Sequence, residues 1–241
     1  CIRDSETAPA YGPAEDFLGQ ALQQGERQPE GGWVVTSKLL PGSTLGEGKH
    51  QLLKILERLG CDNLDNLAIH GINRPEHLDW ALHGDGKDLL DWAQGEGHAA
   101  QVGFSSHGSQ ALIAAAISSG RFQFCSLHLH LLDPQRLPLA HRALEQGMGV
   151  LAISPADKGG RLQAPSPTLI SDCAPFSPLQ LAYRFLLAQG ISTLSVGAAQ
   201  ASDLELAAAL QSSDSPLSPE EESSLQRLDD YRRERVGADL C

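Results

Sequence analysis

Short apolar runs alternate with longer amphipathic segments along the whole 241-residue chain, and that rhythm leaves few architectures open. The runs lie at residues 2–6, 33–38, 64–70, 100–105, 123–129, 150–153 and 193–197. A strand covered on both faces reads as a continuous apolar run, and parallel neighbours must be joined by a crossover helix. The pattern therefore predicts repeated βα units around a parallel sheet. Helical spacing predicts helices over 14–24, 46–59, 86–94, 109–118, 138–146, 178–188 and 201–210. A last helix is expected over 219–235, with Ser218 as N-cap and Glu220, Glu221 and Glu222 at the positive end of its dipole.

Seven such units are one short of an α/β (β/α)8 TIM barrel, a single-domain architecture of about 250 residues. The chain is thus expected to form one barrel domain over 1–241, incomplete at its N-terminus, with the first βα unit upstream and a C-terminal helix and tail over 218–241. Residues 164–178 read as a long loop able to cover a site at the barrel mouth. No apolar run approaches the roughly 20 residues that span a bilayer, so no membrane insertion is expected. A net charge of -12 repels phosphates and anionic headgroups, which argues against non-specific binding to nucleic acid or lipid. The cysteines Cys1, Cys61, Cys125, Cys173 and Cys241 are far apart and form no CxxC, so neither a disulfide framework nor an internal zinc site is expected, and a reducing, cytoplasmic setting fits.

Active sites of βα barrels form at the C-terminal ends of the strands. Four polar groups stand there: Glu6 with Tyr11 just beyond it, Lys38, His70, and the pair Ser105 and Ser106. A phenol is a poor acid at neutral pH, and a nearby ammonium stabilises its anion. Lys38 would do this for Tyr11 with Glu6 holding the lysine, while His70 orients a carbonyl oxygen that Tyr11 protonates as a hydride arrives at carbon. His128 and His130 alternate on one strand and share a face, but no carboxylate or third imidazole stands at helpful spacing, so no metal site is expected.

The segment ETAPAYGPAEDFLG from Glu6 resembles the DTAxxYGxSExxLG stretch of the aldo/keto reductases. WVVTSK ending at Lys38, LDNLAIH ending at His70, GFSS at Gly103, FQFCSLHLHLLD at Phe122, ISPADKGGRL at Ile153 and SVGAAQASDLELA at Ser195 resemble further family segments, in order. The resemblance implies reduction of small aldehydes or ketones by hydride from NADP or NAD, with NADP favoured. It also implies Tyr11 as proton donor, Lys38 and Glu6 as its tuning pair, and His70 as the carbonyl-orienting residue. Carried over position by position, cofactor contacts fall on Ser105, Ser106, Ser126, Ile153, Ser154, Pro155, Lys158, Gly160, Val196, Gly197, Gln200 and Asp203.

Several positions depart from the family pattern. Glu6 replaces Asp, Ser106 replaces Asn and Ser126 replaces Gln, while Ile153 stands where an aromatic would stack on nicotinamide. Asp203 stands where relatives carry Arg, Lys or Gln near the adenosine 2′-phosphate, and Leu206 with Ala207 replaces a Glu-Asn pair. These losses leave a second reading open, a barrel that acts as a cofactor-binding or regulatory subunit. ETA, KGG and a terminal ADLC resemble a branch with a ferredoxin-like extension. Cys241 would then be the first ligand of an iron-sulfur cluster held only in a longer parent chain, since four thiolates are needed; otherwise it is a terminal residue without that role. The sequence sets no oligomeric state.

Overall fold

In the computed structural model, residues 3–24, 31–158, 160–210 and 216–236 are described. Ile2, where the first predicted strand begins, and the tail from 237, including Cys241, lie outside the described residues. The strands are β1 (Asp4–Glu6), β2 (Val34–Leu39), β3 (Leu64–His70), β4 (Ala99–Ser106), β5 (Phe124–His128), β6 (Gly149–Ile153) and β7 (Thr193–Leu194). Their order follows the chain, and helices alternate with them. This is the topology of an incomplete (β/α)8 barrel.

The chain divides into two compact units. One comprises Ile2–Leu127 with Arg142–Val150, the other His128–His141 with Leu151–Cys241. In the N-terminal unit β1 to β5 pair in parallel, with Glu6 opposite Thr36, Lys38 opposite Ala68, His70 opposite Ser105, and Ser105 opposite Ser126. The close approach of β4 to β5 requires the glycine of GFSS. A Cβ on Gly103 would lie 2.5 Å from the Phe124 carbonyl oxygen.

The helices of this unit are α1 (Ala14–Gln23), α2 (Leu45–Leu59), α3 (Pro75–His83), α4 (Asp85–Gly95) and α5 (Gln110–Ser118). Thr44 and Glu47 form a capping box at the start of α2, and Gly60 closes it in the left-handed conformation with φ 64°. The helix buries Leu52, Ile55, Leu56 and Leu59, while Leu67 and Ile69 of β3 and Phe104 of β4 are fully buried. The spacing did not predict α3. Pro75 occupies its first turn, where a missing N–H costs nothing, and Trp80 donates from Nε1 to the Ser43 carbonyl at 2.9 Å.

Helix α6 (Leu137–Glu145) precedes β6, and in the C-terminal unit β6 pairs β7 in parallel, Leu151 opposite Thr193. Helices α7 (Pro167–Cys173), α8 (Pro178–Ala188), α9 (Glu205–Leu210) and α10 (Pro219–Val236) follow. The 164–178 segment is therefore not wholly loop: Ser166 caps α7 by accepting from the Leu169 amide. The single helix expected over 201–210 is a 3-10 turn, Ala201–Leu204, leading into α9, and β7 stops at Leu194 rather than reaching 197. Leu162, Cys173, Leu181, Ala182 and Leu228 form the core here. The predicted N-cap Ser218 accepts from the Glu221 amide at 3.2 Å, and the Glu221 carboxylate returns to the Ser218 amide at 2.7 Å. No described helix is long and apolar enough to cross a membrane.

Candidate functional site

Because β1, β2 and β3 lie side by side, the residues at their C-terminal ends converge. Lys38 is 2% exposed, and its Nζ lies 2.7 Å from Glu6 Oε1. The same ammonium donates to Tyr11 Oη at 3.0 Å and to the Thr7 carbonyl at 3.3 Å. A buried cation needs such a set of partners, since removing it from water costs several kcal/mol.

Tyr11 ends the 3-10 turn Pro9–Tyr11, and Gly12 turns the chain away with φ 62°. The Tyr11 ring meets the His70 imidazole edge-on, with centroids 5.5 Å apart and planes at 85°. Lys38 and His70 line a cavity of ≈ 290 Å³ together with Pro9, Ala10, Leu40, His50, Gln51, Lys54 and Arg58. Burial, and then the Lys38 charge, pushes the His70 imidazole below its usual range against the pull of Glu6. The ring is therefore neutral at neutral pH and carries one N–H to donate. All four residues singled out by the sequence, Glu6, Tyr11, Lys38 and His70, are brought together.

A fifth residue, and a second carboxylate, escaped the sequence reading. Glu15, on α1, is 1% exposed. Its Oε1 accepts from Ser37 Oγ at 2.7 Å and its Oε2 from Arg58 Nε at 2.7 Å. It ties α1 to α2 and to the strand that carries Lys38. It lies in the segment ETAPAYGPAEDFLG, but an acidic residue in the first turn of a helix carries by itself no sign of burial.

The three serines expected at the nicotinamide differ in their bonding. Ser106 Oγ donates to the Ile72 carbonyl at 2.6 Å and accepts from the Gly108 amide at 3.0 Å, so its hydroxyl hydrogen is engaged. Ser105 Oγ accepts from the Gly71 amide at 3.1 Å. Ser126 is fully buried, and its Oγ has no hydrogen-bond partner among the described residues. An orphaned buried hydroxyl on β5 is a fit for a polar group brought by a ligand.

In the C-terminal unit Ile153 ends β6, and Ser154 and Asp157 adopt left-handed φ of 57° and 63°. The Asp157 amide donates to the Ser154 carbonyl and the Gly160 amide to the Asp157 carbonyl, each at 3.0 Å, so Pro155, Lys158 and Gly160 sit on a tight double turn. Val196 and Gly197 follow β7, and the Gly197 carbonyl accepts from Gln163 Nε2 at 3.4 Å. Asp203 folds back onto its own turn: its Oδ2 accepts from the Ala199 amide at 2.8 Å and the Gln200 amide at 3.1 Å. Those bonds hold its carboxyl below the ordinary range. Amides that could meet a phosphate are thus already answered by a carboxylate.

Cys125 and Cys173 are buried free thiols, pushed up by burial to about 12 and about 11, and so inert. The carboxylate judged missing near His128 and His130 is present. A turn after β5 brings Asp133 to them, with one donor atom from each residue within 4.8 Å of the others.

The aldo/keto reductase family model matches residues 2–166. No curated protein sequence matches the chain. Among solved structures, an aldo-keto reductase from Bacillus halodurans in its holo form is 21% identical with a TM-score of 0.74, over 94% of this chain and 82% of that one. An aldo-keto reductase from Klebsiella pneumoniae in complex with NADPH is 21% identical with a TM-score of 0.73, over 94% and 80%. A glycerol dehydrogenase from Gluconobacter oxydans is 17% identical with a TM-score of 0.75, over 100% and 84%.

Proposed function

Because this chain belongs to the aldo/keto reductase family, we propose that it reduces a small aldehyde or ketone to the alcohol with a nicotinamide cofactor. The observation that carries the reading is the relay in which one buried ammonium, Lys38, lies between the Glu6 carboxylate at 2.7 Å and the Tyr11 hydroxyl at 3.0 Å. A reduced nicotinamide, when bound, supplies the hydride; the Klebsiella pneumoniae relative, whose structure holds NADPH, supports that choice.

The chain's own residues do the rest. The Ser126 hydroxyl suits the carboxamide of that ring, because it is buried with its hydrogen-bonding capacity unanswered among the described residues. The neutral His70 imidazole donates its N–H to the substrate carbonyl oxygen and orients it. Tyr11 Oη gives its proton to the same oxygen as negative charge develops there. The phenolate left behind faces the Lys38 ammonium, which Glu6 holds in place, so charge forms where a countercharge already waits. Reprotonation from solvent is open to Tyr11, whose side chain is 48% exposed.

Oxidation of NADPH or NADH in the presence of small aldehydes tests the proposal. Tyr11→Phe should lower kcat by about 100-fold or more, the range general acids contribute, while cofactor binding persists. Equal turnover by the two proteins would remove the mechanism. Engagement of the Ser106 hydroxyl with the backbone favours the second reading, a cofactor-binding or regulatory subunit. Tight cofactor binding without turnover of any carbonyl would establish that alternative.

A further inference from the structure

His128, the last residue of β5, is the first of the 128–141 stretch that belongs to the C-terminal unit, and a tight turn follows it within that unit. The Asp133 amide donates to the His130 carbonyl at 3.0 Å, and the two residues form an isolated antiparallel bridge. The turn reverses the chain, so a carboxylate three positions beyond the second histidine returns to both imidazoles. His128 is 7% and His130 6% exposed, and their rings lie 5.0 Å apart at 73°. One donor atom from each of His128, His130 and Asp133 falls within 4.8 Å of the others. Tetrahedral coordination at metal-ligand distances near 2.1 Å needs donors roughly 3.4 Å apart, which side-chain rotations of about an ångström supply.

A second observation points to a ligand. His130 Nδ1 is buried with no hydrogen-bond partner among the described residues. Leaving such an atom unanswered is costly, so a partner from outside the chain is favoured. The opposite nitrogen, Nε2, faces Asp157 Oδ1 at 3.6 Å. A carboxylate behind one ring nitrogen is the arrangement that orients a metal-binding histidine and fixes its tautomer, leaving the other nitrogen as the donor. Asp157 is held for that role by its left-handed φ of 63° and by the Lys158 amide, which donates to Oδ1 at 2.6 Å.

We propose that His128, His130 and Asp133 bind one divalent transition-metal ion, with Asp157 orienting His130. Two imidazoles and one carboxylate suit zinc or cobalt(II) rather than magnesium or calcium, which take mainly oxygen donors. The ion would cross-link the end of β5 to the turn behind it, a structural role independent of the carbonyl chemistry proposed above.

The test uses the full chain after treatment with a chelator. Calorimetric titration with zinc chloride should give one ion per chain, with a Kd in the micromolar range or tighter, and a zinc-dependent rise in Tm. His130→Gln and the nearly isosteric Asp133→Asn should each weaken binding by at least about 10-fold, while His83→Gln, a change at an exposed imidazole, leaves it unaltered. Circular dichroism verifies that the variants keep the fold, and either folded variant suffices. Cobalt(II) substitution should give visible absorption without thiolate charge transfer. Three results would each overturn the site: no zinc binding by the wild-type chain, wild-type affinity in a folded variant, or a thiolate band placing the metal on a cysteine.

Discussion

His70 shows how a residue's surroundings set its chemistry. Removal from water and the ammonium of Lys38 both disfavour its charged form, Glu6 opposes them, and His107 adds to the downward push. An imidazole whose folded-state pKa is depressed binds fewer protons folded than unfolded near pH 6. Its stabilising contribution is present above the unfolded value of about 6.5 and is lost as pH falls through the lower folded value. Urea unfolding across a pH series should therefore show stability declining below about pH 6.5, and His70→Gln should flatten that part of the curve. An unchanged slope in the variant would contradict the assigned neutral state. The same neutral ring is the one proposed to donate to a carbonyl, so kcat/KM for carbonyl reduction should fall over the same acid range.

Among the elements, α8 and α10 are joined by a buried pair. Arg184 Nε lies 2.7 Å and Nη2 3.1 Å from the two Glu221 carboxylate oxygens, with side chains 6% and 8% exposed. Glu221 also completes the capping box with Ser218, so one carboxylate both starts α10 and neutralises a guanidinium on α8. Removing one member strands a buried charge, so Glu221→Ala should cost about 3 kcal/mol and lower Tm by roughly 6–12 °C. A thermal melt within a degree or two of wild type would refute this. The cap was legible in the sequence because Ser218 and Glu221 are three residues apart and the box is local. The bond to Arg184 was not, since 37 positions separate the pair. Helices α3 and α7 were missed for a related reason. Each is short and starts on a proline, so little periodicity can be read until packing partners are known.

For the molecule as a whole, a cofactor that binds only the folded chain must stabilise it by mass action. At 100 times its Kd, NADPH or NADH should add about 2.7 kcal/mol, or roughly 5–10 °C in Tm for a chain of this size. No shift with either nucleotide at millimolar concentration would count against the nicotinamide reading. The parallel sheet, the order of its strands and the meeting of Glu6, Tyr11, Lys38 and His70 were all readable from residue order. Apolar periodicity specifies strand and helix, and the strand ends of a sequential parallel sheet can only be neighbours. Packing alone settled which way individual side chains turn. Ser106 is drawn to the Ile72 carbonyl while Ser126 has no partner among the described residues, Glu15 is buried against Ser37 and Arg58, and Asp133 returns to His130 through a turn that no spacing announces. Those choices follow from desolvation and from competition for nearby backbone groups. Such terms exist only once distant segments have been pressed together, whereas the periodic pattern is a property of each short stretch of chain.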